Sequence, residues 1–115
     1  MSAEVDPYGC MQHSPGSKLD SGKPRLGLVL MDFSRAVRAV SEVGTYGAQK
    51  YTDHGWISVP DGVSRYTDAM LRHLLAEGKG EIHDPESGLM HAAQVAWNAL
   101  ARLDLQLREL EEHGQ

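Results

Sequence analysis

The feature that most constrains the fold is a run of apolar residues toward the C-terminus. Leu89, Ala93, Ala96, Trp97, Leu100, Leu103, Leu107 and Leu110 recur at the period that puts side chains on one face of an α-helix. Asp84-Pro85-Glu86 just ahead of them predicts the helix start. Asp is a good cap, Pro fits the first helical position, and Glu suits the positive end of the helix dipole. The helix is expected to reach about Glu112, roughly 26 residues or ~39 Å. Two shorter helices cannot cover that length. The C-terminal leucines would then lie exposed in a monomer, so a homo-oligomer, dimer or tetramer, with this helix in its interface is expected.

Two shorter helical patterns precede it. Phe33, Val37, Val40 and Val43, with Ala36 and Ala39, form an apolar stripe that starts near Asp32 or Ser34 and runs to about Tyr51. Tyr66, Ala69, Met70, His73 and Leu74 form a second, capped by Ser64 and ended at Gly78 and Gly80. Between them Asp53, Gly55, Pro60, Asp61 and Gly62 mark a loop. Residues 1–22 lack periodicity and are rich in Pro, Gly, Ser and charge, which predicts a flexible N-terminal arm ahead of one domain over 23–115. The fold class expected is all-α, a small bundle of three main helices.

Charge narrows the partners. Eleven Lys and Arg stand against sixteen Asp and Glu, a formal net charge of -5. That disfavours a nucleic-acid polymer or an anionic membrane as partner. No apolar run approaches a membrane span or a signal peptide, and the single cysteine, Cys10, cannot form an internal disulfide. These point to a cytoplasmic protein.

The polar residues concentrate in RHLLAEGKGEIHDPESGLMHAAQVAWN, Arg72 to Asn98. Carboxylates and imidazoles gathered at a helix hairpin are the raw material of a divalent-cation site. With consecutive helices antiparallel, Glu42, His73, Glu77, Glu81, Asp84 and His91 can surround one cavity. Glu42, Tyr46 and Lys50 step by four along one helix face, a grouping suited to a metal-bound polyphosphate. Ser87, His91, Gln94 and Asn98 follow helical spacing as a polar row beside the apolar stripe. Bland readings compete with each. Glu42 can pair with Arg38, His73 can be a hydrogen-bonded core histidine, Asp84 a helix cap, and Glu86 dipole compensation. Arg72 can pair with Asp68, Lys23 and Arg25 can be solvated charges, and Tyr46, Trp56 and Trp97 can be packing aromatics.

The segments DSGKPRLGLVL, EVGTYGAQKY, HGW, RHLL, GEIHDPESGLMH and WNAL together resemble the phage-encoded dATP/dGTP diphosphohydrolase family, a relative of the MazG-like all-α nucleotide pyrophosphohydrolases. The resemblance covers about Lys18 to Leu107, and its most specific parts are YGA-x-KY and G-E-x-x-D-x-E-S-G-x-x-H. It implies metal-dependent hydrolysis of a purine deoxynucleoside triphosphate, dGTP or dATP, to the monophosphate and pyrophosphate, in some phages as a source of dGMP for modified-purine synthesis. By motif position the matching residues are Lys23, Arg25, Glu42, Tyr46, Lys50, Tyr51, Trp56, Arg72, His73, Glu81, Asp84, Glu86, Ser87, His91 and Asn98. Glu81-Ile82-His83-Asp84 has the ExxD form of the MazG-like enzymes, whereas Glu42 is followed by Thr45, so their ExxE pair is absent. Gln94 stands where relatives often carry a second histidine, and Gly55 where they carry asparagine.

Such a reaction needs Mg²⁺ or Mn²⁺ on oxygen ligands. Glu42, Glu81 and Asp84 are the expected ligands, with His73 or His91 completing the shell or acting as general base. Lys50 and Arg72 would neutralise phosphates, with Lys23 and Arg25 reaching in from the arm, Asn98 lining the site, and Tyr46 or Trp56 stacking on the purine. The competing classes are a non-catalytic nucleotide- or metal-binding helical module and a structural helical adaptor.

Overall fold

The computed structural model describes residues 3–114. They carry four α-helices: α1 (Leu26–Asp32), α2 (Ser34–Lys50), α3 (Gly62–Gly78) and α4 (His91–Glu112), with one 3-10 turn at Gly55–Ser58. Among the described residues the only β-type pairing is two isolated bridges, Val5 with Met11 and His83 with Met90. The all-α expectation therefore holds. No helix among these residues is long and apolar enough to cross a membrane.

The chain divides into two compact units, Met1–Asp32 and Phe33–Gln115. The first is organised by a carboxylate. Asp6 Oδ1 accepts the backbone N–H of Tyr8 at 3.0 Å and of Cys10 at 2.8 Å, and Oδ2 accepts that of Lys18 at 3.0 Å. Three amides donating to one carboxylate close the arm into hydrogen-bonded turns, and Asp6 is only 8% exposed. Residues 26–32 then form α1, a short helix absent from the three-helix expectation. Its run LGLVLMD has no polar stripe, so periodicity gives no signal there.

In the second unit α3 packs mainly against α4, α2 also packs on α4, and the 3-10 turn touches α3. The centre is aromatic. Trp97 of α4 meets Trp56 edge-on with ring centroids 6.2 Å apart, and Tyr66 of α3 at 5.5 Å. The Tyr66 hydroxyl donates to the Trp56 carbonyl at 2.9 Å. Gly44 of α2 faces the same indole, and a Cβ there would lie 3.2 Å from Trp97 Nε1. A glycine inside a helix costs about 1 kcal/mol relative to alanine. Here it lets α2 approach the indole. Arg102 Nε donates to Thr67 Oγ1 at 2.8 Å and ties α4 to α3 further along.

The long C-terminal helix starts later than Asp84-Pro85-Glu86 suggests. Asp84 does accept the Glu86 amide, at 3.1 Å, as a cap would. Gly88 then adopts φ +74, the Asp84 amide donates to Leu89 O at 2.8 Å, and the chain folds back as a turn. Met90, in extended geometry, is the residue before α4. The capping residues thus close a loop, and the helix begins at His91.

Val43, Ala93 and Ala101 are the buried apolar residues, while Leu100, Leu103, Leu107 and Leu110 of α4 are each about half exposed. At about 100° per residue these leucines form one stripe that adjoins Ala93, with Leu100 within about 20° of it and Leu110 about 100° away. The apolar stripe of α4 is therefore covered at Ala93 and left about half exposed along its leucines.

The three amide bonds hold the Asp6 carboxyl below its ordinary value of 3.8 against the opposing effect of burial. A depressed carboxyl stabilises its loop above the ordinary value, and that stabilisation is lost as pH falls through the depressed one. Protection of the Cys10 and Lys18 amides, relative to their intrinsic exchange rates at each pH, should therefore hold down to about pH 4 and fall below it. Asp6→Ala should show the lowered protection at every pH, by NMR.

Candidate active site

The site forms where α3, the segment 79–90 and the start of α4 meet. Gly80, at φ +97, turns the chain after α3. His91 N then donates to Ile82 O at 2.9 Å and returns the chain beneath α3. This places His73, one turn before the α3 end, against His91, the first residue of α4.

His73 Nδ1 and His91 Nδ1 are 2.8 Å apart, and His91 Nε2 is 2.7 Å from Glu81 Oε1. His91 is 4% exposed, so both ring nitrogens need protein partners and have them. The partners fix the protons. A Glu81 carboxylate only accepts, so His91 Nε2 carries a hydrogen. In a neutral His91, Nδ1 then accepts from His73 Nδ1–H, and His73 Nε2 keeps its lone pair. Burial, the neighbouring His91 and the Arg72 charge hold His73 below its ordinary 6.5, while Asp84 opposes them. His73 is therefore neutral at pH 7 and able to take a proton.

Asp84 lies beside the pair. Burial pushes its carboxyl up, but the Gln94 amide, the Glu86 N–H and the two imidazoles outweigh it and hold it below 3.8. Gln94 Nε2 donates to Asp84 Oδ2 at 2.9 Å and to Ser87 Oγ at 3.1 Å. Ser87 is part of the turn, not of α4, so the polar row expected on one helix face is built from loop and helix together. Lys50 Nζ, at the end of α2, bonds Glu86 Oε1 at 2.6 Å, which pushes the ammonium above 10.5. Between α2 and this turn runs an open groove of about 410 Å³, lined by Arg38, Ser41, Glu42, Thr45, Tyr46, Gln49, Ser87 and Leu89.

The structure thus brings His73, Glu81, Asp84 and His91 together, sets Tyr46 on the adjoining groove and pairs Lys50 with Glu86 of the turn. Glu42 is not part of the imidazole cluster. Its carboxylate lies 3.6 Å from Arg38 Nε on an exposed face, the competing i,i+4 pairing, and it lines the groove across from Ser87. Asn98 is buried at 5% exposure and donates to Gln94 O of its own helix at 2.8 Å. Trp56 packs on Trp97 and lies under Arg108, 5.6 Å from the ring centroid. That is a packing role. Arg72 is exposed and acts on His73 through its charge. Lys23 and Arg25 are exposed in the first unit. Spacing did not single out the Lys50–Glu86 pair, because it joins residues far apart in sequence.

Among the described residues no three His, Cys, Asp or Glu side chains are placed to hold a metal ion. The bonds above explain why. Both nitrogens of His91 and both oxygens of Asp84 are engaged with protein partners. A ready-made cage is not formed within the described chain.

A family described as dATP/dGTP diphosphohydrolase, N-terminal, matches residues 13–114. A Salmonella phage PMBT28 protein named dATP/dGTP diphosphohydrolase is 38% identical over 81 residues, 70% of this chain and 26% of that protein. The chain thus spans about a quarter of the length of this relative. No solved structure shows a significant match.

His91 bonds both His73 and Glu81, so its removal leaves those two without their partner inside a partly buried site. His91→Ala should cost about 2–3 kcal/mol in urea unfolding. The control Glu109→Gln, on the exposed end of α4, should stay within about 0.5 kcal/mol of the parent.

Proposed function

This chain belongs to the dATP/dGTP diphosphohydrolase, N-terminal, family, and from that premise we propose that it hydrolyses purine deoxynucleoside triphosphates to the monophosphate and pyrophosphate. The observation that carries the reading is the Glu81–His91–His73 hydrogen-bonded chain, which ends in a neutral imidazole nitrogen. Hydrolysis of a phosphoanhydride needs a water deprotonated as it attacks phosphorus.

In this reading His73 Nε2 takes the proton of the attacking water. The His73 Nδ1 proton crosses the 2.8 Å bond to His91 Nδ1. His91 becomes an imidazolium held by the Glu81 carboxylate at 2.7 Å. The charge created by proton abstraction is thereby moved away from the reacting atoms and neutralised by a group already in place. Attack at the α-phosphorus breaks its bond to the bridging oxygen, and pyrophosphate leaves with those electrons. Lys50 and Arg72 are assigned to the leaving phosphates. Tyr46, which lines the groove, is assigned to the purine in place of Trp56. Mg²⁺ or Mn²⁺ is proposed to be required, its chemistry being neutralisation of phosphate charge, with Glu42, Glu81 and Asp84 as the proposed carboxylates, of which Glu81 and Asp84 would exchange their bonds to His91 and Gln94 for the ion.

A binding module without turnover would need the same groove and the Lys50 ammonium but not a three-member proton chain. The distinguishing experiment is incubation with each dNTP and Mg²⁺ or Mn²⁺, with products separated by ion exchange. Monophosphate and pyrophosphate are expected, with turnover abolished by chelation. His73→Ala should lower kcat at least about a hundredfold with helix content unchanged. Because only neutral His73 accepts a proton, the rate should stay level from pH 8 to about 6.5 and fall below that. Bound dNTP with no product over hours would refute hydrolysis.

The half-exposed leucine stripe of α4 is proposed to be covered by a second copy of this chain. Light scattering should then give a multiple of the 12.6 kDa chain mass. Leu103→Glu with Leu107→Glu should return it to the single-chain mass.

A further inference from the structure

Gln94 is the one group on the α4 side of the Asp84 turn whose task the proton chain does not explain. It sits one turn into the helix, half-buried. Both hydrogens of its amide point at the loop, to Asp84 Oδ2 at 2.9 Å and to Ser87 Oγ at 3.1 Å. The remaining bonds of this knot are local. Glu86 N donates to Asp84 Oδ1, the Ser87 hydroxyl faces Asp84 Oδ2 at 3.4 Å, and Leu89 N donates to Ser87 Oγ at 3.1 Å. The His91 amide, on Ile82 O, anchors the segment at the first residue of α4. The Gln94 amide adds an anchor one turn further in, on the side chains of Asp84 and Ser87, which the backbone bond does not hold.

The chemistry of the donor matters as much as its position. A lysine or arginine reaching Asp84 would hold it equally well but would cancel its charge. An amide donates without a net charge, so the carboxylate stays fully negative toward whatever cation or imidazolium forms beside it. Asp84 already acts electrostatically on His73 and is acted on by both imidazoles.

We infer that Gln94 is a positioning residue. It fixes Asp84 and Ser87 against α4 with a charge-neutral donor, so that the Asp84 carboxylate is held in place while keeping its charge. This rests on the hydrolytic reading of the site for its consequence in turnover, but not for its consequence in structure. Gln94 itself touches no reacting atom.

Two variants separate orientation from charge. Gln94→Met keeps the length and removes both donors. Gln94→Lys keeps a donor and adds a positive charge. Amide exchange at Glu86 and Leu89, whose N–H groups belong to the knot, reads positioning with no substrate present. In Gln94→Met both amides should exchange at least about tenfold faster, and kcat for dGTP should fall about tenfold or more with KM within about twofold. In Gln94→Lys exchange should stay slow while kcat falls by a similar factor, an outcome that a purely structural role does not produce.

Unchanged exchange in a folded Gln94→Met protein overturns the assignment. So does full turnover in Gln94→Lys with the parent active. If the parent turns over no dNTP, the hydrolytic reading fails instead, and exchange at Glu86 and Leu89 alone decides whether Gln94 positions the turn. If Gln94→Met does not fold, judged by helix content, the Gln94→Lys pair of readings decides.

Discussion

A buried imidazole has to find partners for two nitrogens, and the arrangement around His91 follows from that requirement. At 4% exposure it has almost no water to use. Its two partners come from different places, Glu81 from the turn and His73 from α3, so satisfying one residue fixes three elements at once. The same two bonds set the proton positions. Glu81 can only accept, so the proton order runs outward to His73. Structure and chemistry here have one cause. A nitrogen that must be bonded for the fold to be stable is also the nitrogen through which a proton can travel.

The groove beside this cluster has a different character. It is open, lined by α2 on one side and the turn on the other, and the same two elements are joined by the Lys50–Glu86 pair at 2.6 Å. Both side chains are substantially exposed, so the pair adds little to stability. An ammonium so placed remains available to a stronger anion than a carboxylate, and a polyphosphate is such an anion. A half-buried, neutral proton acceptor together with an exposed ammonium is the division of labour expected where a charged substrate is attacked by water.

Sequence periodicity located α2 and the end of α3 because Ser34, Gly78 and Gly80 agree with the apolar stripes. It misplaced the start of α4, since Asp84-Pro85-Glu86 makes the same first hydrogen bonds whether a helix or a turn follows. Gly88 decides the matter by accepting a positive φ. It missed α1, whose apolar run has no polar face to mark a period. In the site, His73, Glu81, Asp84 and His91 were legible as a group because a short connection forces neighbouring helices together. Glu42 was not, because Arg38 one turn earlier offers it a local partner. Trp56 was not, because nothing in its spacing reveals that Trp97 and Tyr66 meet it. The order of protons along the imidazoles was beyond spacing altogether, since it depends on which nitrogen faces which oxygen.

The buried apolar residues of the helical unit are Val43, Ala93 and Ala101, and no large side chain among the described residues is fully buried. Small residues bring helix axes close together, but they remove little hydrocarbon from water. The heat-capacity increment of unfolding scales with that area. A single chain of this kind should therefore have a shallow curve of stability against temperature, melting over a broad range and losing little on cooling.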